Sequence, residues 1–189
     1  MKTLIISDTH GSLPEIETIF AREHTAEAPL DFVLHSGDVL YHGPRNPLPK
    51  GYTPADLARF FSELPVIRYV RGNCDSDVDQ VVLESGEMPK EQFVRIGSRL
   101  IYLTHGEHTS EQQRVSRARS KGATIAVSGH THASVLKRTD GVIVLNPGST
   151  VMPKDGTASY ALLTDDTIYL KSVSDGRILA SIPLESAPN

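Results

Sequence analysis

The apolar positions of this chain fall into two regimes. In the front part, short unbroken apolar runs alternate with stretches of helical spacing. Thr3 to Ser7 carries Leu4-Ile5-Ile6 without a polar break, the pattern of a strand covered on both faces. Ser12-Leu13-Pro14-Glu15 reads as a helix start, with a serine cap, a proline in the first turn and a glutamate at the third helical position. Ile16, Ile19 and Phe20 then form its apolar face. Asp31 to His35 is a second strand, ending at Ser36-Gly37-Asp38. Residues 41 to 54 form a long loop rich in proline and glycine, a kind that often carries function. Thr53-Pro54 opens a helix to about Leu64, with Leu57, Phe60, Phe61 and Leu64 inward. Val66 to Arg71 is a third strand, followed at once by Gly72-Asn73-Cys74-Asp75.

Residues 76 to 90 accommodate one short helix. Beyond them the pattern turns to strands. Phe93 to Ile96 and Arg99 to Thr104 are joined at Gly97-Ser98, and the second ends in His105-Gly106. Ser110-Glu111-Gln112-Gln113 is a capping box whose helix ends near Gly122. Thr124 to Val127 leads into Gly129-His130-Thr131-His132. Val135-Leu136 and Val142 to Leu145 follow, ending at Asn146-Pro147-Gly148-Ser149. Ser159 to Thr164, Thr167 to Val173 and Ile178 to Leu184 alternate like an antiparallel meander, with turns at Asp165-Asp166 and Asp175-Gly176. Glu185 to Asn189 reads as a frayed tail. With no internal repeat and no linker, the pattern predicts one α/β domain over residues 1–189, two sheets packed together with helices outside.

Composition narrows the classes. At 189 residues, 39% hydrophobic and 22% charged, the chain is long enough for a sizeable core. A net charge of −4 argues against a dedicated nucleic-acid binder, and leaves a nucleotide or short oligonucleotide open as substrate. The basic residues Arg114, Arg117, Arg119 and Lys121 accordingly read as a solvated helix face. The apolar runs are too short for a membrane span and Met1-Lys2-Thr3-Leu4 lacks a signal-peptide layout. The lone Cys74 cannot form an internal disulfide, so a reducing cytoplasm is the expected location. A homo-oligomer is left open.

Candidate chemistry sits at the strand ends. Asp8 and His10, Asp38, Asn73, His105, and His130 with His132 each follow an apolar run, mostly with glycine adjacent. Singly, each has an ordinary reading: aspartates cap, histidines pack, glycines turn. Together, seven oxygen and imidazole donors at five strand ends point to metal. Seven exceed what one ion needs. Shared between two ions, they leave positions open for water and substrate, and the donor mix suits manganese, iron or zinc better than a thiolate site would. Two divalent ions roughly 3.5–4 Å apart can clamp the attacking and leaving oxygens of a phosphoryl transfer. With two carboxylates and a hydroxide they retain about one positive charge, which matches a singly charged phosphodiester.

The series Asp8-x-His10, Gly37-Asp38, Gly72-Asn73, His105 and Gly129-His130-x-His132 resembles the calcineurin-like metallophosphoesterases. Ser-Asp-x-His-Gly-Ser-Leu-Pro at the start, Gly-Asp-Val-Leu-x-His-Gly-Pro-Arg-Asn over 37–46, Arg-Gly-Asn-Cys-Asp over 71–75 and Asn-Pro-Gly-Ser over 146–149 resemble their small bacterial phosphodiesterase branch. The resemblance implies a four-layer αββα sandwich of two mixed sheets with the site at strand C-terminal ends. It also implies a binuclear centre typically run with manganese, iron, zinc, nickel or magnesium being compatible, and hydrolysis of a small phosphodiester. It assigns one ion to Asp8, His10, Asp38 and His132 and the other to Asp38, Asn73, His105 and His130, with Asp38 bridging. Metal-bound hydroxide would be the nucleophile, Asn73 and Cys74 possible contributors to catalysis, and Asp75 a candidate support for the ligands. His42 and Arg45 could reach a substrate phosphate, whereas His35 reads as core and His24 as surface.

The chain departs from the family twice. Cys74 stands where many relatives have a histidine thought to aid the leaving group, and a thiol with a pKa of about 8.5 is a poorer acid at neutral pH. Glu107 stands where close relatives often carry a second histidine, with His108 next to it. The expected preference is therefore for diesters with good leaving groups. A phosphomonoesterase or nucleotide pyrophosphatase on the same site, and a trafficking scaffold that has lost the metal chemistry, are the competing readings. Retention of all seven donors argues against the scaffold.

Overall fold

The computed structural model of the chain describes residues 1–64 and 66–184. The predicted tail over 185–189 lies outside the described residues. Strand β1 (Thr3–Ile6) is buried along its whole length, as its unbroken apolar run requires. It pairs in parallel with β2 (Phe32–His35), which pairs in parallel with β3 (Ile67–Tyr69). The C-terminal meander of β9 (Ser159–Leu163), β10 (Thr167–Ser172) and β11 (Ile178–Pro183) folds back so that β9 runs antiparallel to β1. The six-stranded sheet has the order β11-β10-β9-β1-β2-β3. The second sheet has the order β4-β5-β6-β8-β7. In it, β4 (Glu91–Ile96) and β7 (Val135–Thr139) are the antiparallel edges. The centre is the parallel set β5 (Arg99–Thr104), β6 (Ile125–Val127) and β8 (Val142–Asn146).

Strand geometry sends alternate side chains to opposite faces, and both faces of β1 are used. Ile5, with Leu34 and Val70, meets Leu103, Val127 and Leu145 between the two sheets. Leu4 and Ile6 point the other way, onto Ile16 and Ile19 of α1 (Pro14–Glu23) and Leu57 and Phe61 of α2 (Pro54–Ser62). On the far side, Val115 and Ala118 of α4 (Glu111–Ser120) cover Tyr102, Ala126 and Val144. Burying each such aliphatic side chain stabilises the fold by about 1.5–3 kcal/mol, and the central strands of both sheets are covered on two faces while the edge strands β4, β7 and β11 stay partly exposed. The expected αββα sandwich is the observed architecture. No described helix is long and apolar enough to cross a membrane.

Two local readings are corrected. The capping box at Ser110 and Gln113 forms as read, but Ser12 does not cap α1. Leu13 takes the cap position with no side-chain bond, while the Ser12 hydroxyl donates to Glu15 Oε2 at 2.6 Å. Ser12 is held instead in a single bridge pair with Tyr52, which ties the long loop to the first strand end. Residues 76–90 contain one short helix, α3 (Asp77–Val82), capped by Ser76 and Asp79.

Candidate metal centre

Because β1, β2 and β3 are parallel to one another, and β5 and β6 likewise, their C-terminal ends deliver loops to one edge of the sandwich. The loops after β1 and β2 are zipped together: the amides of Asp8, His10 and Gly11 donate to the carbonyls of Gly37, Asp38 and Val39 at 3.0, 3.1 and 2.8 Å. Beneath them His35 is fully buried. Its Nδ1 accepts from the Gly37 amide, its Nε2 reaches Thr9 Oγ1 at 3.0 Å, and Thr9 donates on to Val39. Burial pushes its pKa down to about 3, so this imidazole is neutral core, as read.

All seven predicted donors meet at this edge. His10, His132 and Asp8 place their ligating atoms within 4.8 Å of one another, as do Asp8, Asp38 and His105. His105 Nε2 lies 3.4 Å from Asp38 Oδ2 and 3.2 Å from Asn73 Oδ1, and His130 Nδ1 lies 2.7 Å from the same Asn73 oxygen. The backbone bends sharply to achieve this. Among the described residues, seven non-glycine residues take positive φ, and five of them are Asp8, His10, Asp38, His130 and His132. Such conformations cost of order 1–3 kcal/mol each and persist where the surroundings enforce them. Gly72 shows how tightly: a Cβ there would stand 2.1 Å from Asp38 Oδ1.

Three backbone carbonyls orient the imidazoles. His10 Nδ1 faces the Tyr41 carbonyl at 2.8 Å, His132 Nδ1 that of Met152 at 2.9 Å, and His105 Nδ1 that of Ser36 at 2.7 Å. A carbonyl only accepts, so each Nδ1 carries its hydrogen, and a ring that is neutral presents an Nε2 lone pair. The Nε2 atoms of His10 and His132 then face each other at 3.1 Å, and a buried, unpartnered Asp8 Oδ1 lies 3.4 Å from His132 Nε2. Two imidazole nitrogens and a carboxylate oxygen aimed at one point are satisfied by a proton on His132, where burial opposes the charge but Asp8 raises the pKa, or by a metal ion, and the donor set fits a divalent ion. Burial opposes ionisation of Asp38, but His105 outweighs it and holds the carboxyl well below its usual range. Burial likewise opposes charge on His105, yet Asp38 and Asp8 push it up to about 9.

Asp75 supports the site from below rather than touching an imidazole. Its carboxylate accepts the amides of Asp38, Val39 and Gly72 at 2.8, 2.8 and 2.7 Å, so it ties together the two loops that carry Asp38 and Asn73. Burial raises its pKa to about 6. Cys74 lies beside the ligands, and its amide donates to Asp38 Oδ1 at 2.8 Å. Burial and the nearby Asp38 push its thiol up to about 12. A cavity of about 330 Å³ opens over the cluster, lined by Asp38, Arg45, Asn46, Cys74 and Lys154 among others. Arg45 is thus on the cavity wall, whereas His42 is not: its ring packs against Tyr41 and Tyr52. His108 is exposed, 3.7 Å from the Glu107 carboxylate. Arg114 departs from the reading of a solvated helix face, being half-buried and bonded to the Thr109 carbonyl.

The sequence reading missed Lys154, the Met152 carbonyl and Ser149. Ser149 Oγ donates to the Asp8 carbonyl at 2.7 Å and accepts from the Met152 amide at 2.9 Å, coupling the first ligand loop to the loop that orients His132. Ser149 belongs to the Asn-Pro-Gly-Ser stretch already singled out, but Lys154 and Met152 follow no apolar run and carry no pattern of their own.

Comparison with known proteins agrees with this geometry. Residues 1–167 match the family model of the calcineurin-like phosphoesterase superfamily domain. The chain is 37% identical to phosphodiesterase YfcE of Escherichia coli K12, over 97% of this chain and 98% of that protein. The solved structure of YfcE, described as a phosphoesterase, superposes with a TM-score of 0.84 at 34% identity, covering 98% of this chain and all of that one. Vacuolar Protein Sorting 29 from Cryptosporidium parvum shares the fold at 22% identity and a TM-score of 0.71, over 98% of each chain.

The role of Asp75 can be measured directly. Asp75→Asn leaves one acceptor oxygen for three amide donors and should cost about 1–3 kcal/mol in urea unfolding at pH 7.5. A change within about 0.5 kcal/mol would show that the loops do not depend on it.

Proposed function

We propose a function from one premise: the chain belongs to the calcineurin-like phosphoesterase superfamily. On that premise it is a metal-dependent phosphodiesterase with a binuclear centre. Asp8, His10, Asp38 and His132 would hold one divalent ion, and Asp38, Asn73, His105 and His130 the other, with Asp38 shared. The observation that carries this reading is the convergence of the Nε2 atoms of His10 and His132 at 3.1 Å beside Asp8, both rings fixed through Nδ1. Mixed carboxylate, imidazole and amide donors favour manganese, with iron, zinc, nickel and magnesium compatible. When bound, the two ions supply charge to the phosphoryl oxygens and lower the pKa of the attacking water.

The remaining work falls to side chains on the cavity wall. Arg45 and Lys154 can pair with the phosphate oxygens, Arg45 with a planar fork and Lys154 as a point charge. Asn73 sets its amide oxygen 3.2 Å from His105 Nε2 and 2.7 Å from His130 Nδ1, where the three atoms would face the second ion together. Cys74 is the group best placed to meet a departing oxygen, and a thiol held this high gives up its proton reluctantly. Diesters whose leaving group needs no protonation are therefore the preferred substrates. A phosphomonoesterase or pyrophosphatase would use the same ligands, and no observation favours it.

With manganese restored after chelation, the protein should hydrolyse bis(4-nitrophenyl) phosphate. Asp38→Asn should lower that rate by about a hundredfold or more, since residues that merely support metal ligands already act on the 10–100-fold scale. It should do so while the protein stays folded by circular dichroism, and near-normal turnover would sink the binuclear reading. Cys74→His supplies a better proton donor. It should raise the ratio of 4-nitrophenyl phosphate to diester hydrolysis by about tenfold or more, and an unmoved ratio would remove Cys74 from the specificity argument.

A further inference from the structure

Three of the four candidate imidazole ligands are aimed by a carbonyl on the ring nitrogen that faces away from the cluster, and His130 is the exception. It turns Nδ1 to Asn73 Oδ1 at 2.7 Å, and among the described residues nothing bonds its Nε2. The residue is exposed, so packing does not hold the ring either. The aim of such a ring has to come from its backbone, since φ and ψ decide which rotamers are open to it. That backbone lies in the left-handed region, with φ at 68°. A residue other than glycine stays there only under constraint.

The constraint comes from Asn146, the last residue of β8 and only 4% exposed. Its Nδ2 donates to the Gly129 carbonyl at 2.8 Å and to Thr131 Oγ1 at 3.1 Å, one on each side of His130. Its Oδ1 accepts the Gly148 amide at 2.9 Å. A carbonyl only accepts and an amide only donates, so the two ends of the Asn146 side chain cannot be exchanged. The bond to Gly148 is an ordinary turn at a strand end, and that turn has no need of the donor half. The His130 amide adds a third tie, to Asp8 Oδ2 at 3.1 Å. Gly129 sits so close beneath that a Cβ there would stand 1.9 Å from Ser7 Oγ.

We propose that Asn146 is a positioning residue for the second ion: its carboxamide staples the chain on both sides of His130 and so sets the one imidazole whose far nitrogen has no anchor. The inference rests on the binuclear phosphodiesterase reading and adds to it a residue that touches neither ion nor substrate. His132 does not depend on the staple. The Met152 carbonyl holds its ring, and the Lys154 amide donates to its carbonyl at 2.8 Å. Loss of the staple therefore falls on one ion and spares the other.

Two variants test this. Asn146→Asp keeps the acceptor for Gly148 and removes both donors. Thr131→Val removes one leg at an exposed position without a change of charge, and it decides the matter if Asn146→Asp does not fold. Manganese uptake is read by titration calorimetry and the pairing of ions by the exchange-coupled electron paramagnetic resonance signal. Wild type should take up two ions and give the coupled signal. Asn146→Asp should weaken the second ion by about 10–100-fold, leave the first within about threefold, and replace the coupled signal by that of isolated manganese. Thr131→Val should weaken the same ion by about two- to tenfold, the worth of one hydrogen bond. A merely structural role would weaken both ions alike, or lower resistance to urea without touching manganese uptake. Either result overturns the proposal, as does unchanged uptake in both variants. A second arm needs no metal. In metal-free protein the His130 amide hydrogen should exchange about tenfold faster or more in Asn146→Asp, and an unmoved rate overturns the proposal. A wild type that takes up a single ion counts against the binuclear reading, and the exchange rate alone then decides the staple.

Discussion

The structure depends on three hydrogen bonds from imidazole to backbone carbonyl. Ser36, Tyr41 and Met152 take the Nδ1 hydrogens of His105, His10 and His132 and thereby aim three Nε2 atoms inward. The bond from His105 to Ser36 also joins the two sheets, since His105 follows β5 and Ser36 follows β2. Aligned in this way the Nε2 atoms converge with the buried carboxylates of Asp8 and Asp38 on positions that only a proton or a metal ion can satisfy. The polypeptide therefore holds an arrangement that becomes favourable when a cation enters. Its stability comes from elsewhere, from the aliphatic layers that cover the central strands of both sheets.

That division explains where the backbone is unusual. The sandwich interior is regular, with β1 contributing Ile5 to one core and Leu4 and Ile6 to the other. Left-handed non-glycine residues concentrate instead at the strand ends that carry the candidate ligands. Asp75 and Ser149 keep those bends in place, Asp75 through three amides and Ser149 through the Asp8 carbonyl. Bringing Gly72 against the Asp38 carboxylate leaves no room for a side chain.

Most of this was legible in the chain because strand ends are marked twice, by an apolar run and by the polar residues that stop it. Asp8, His10, Asp38, Asn73, His105, His130 and His132 could be picked out for that reason, and the layer order followed from unbroken runs in front and alternating strands behind. What escaped has no side-chain signature. A carbonyl such as that of Met152 is present at every residue, and only the path of the loop makes it an orienting group. Lys154 reaches the cavity through the same loop. His42 looked like a phosphate contact from its place in the sequence, but the packing of Tyr41 and Tyr52 draws its ring away. Ser12 had the spacing of a cap, and pairing with Tyr52 took it elsewhere.

Anomalous diffraction from crystals grown with manganese tests the central claim most directly. The account predicts two peaks, one among Asp8, His10 and His132 and one among Asn73, His105 and His130, each in contact with Asp38. A single peak, or manganese bound away from the facing Nε2 atoms of His10 and His132, would contradict it.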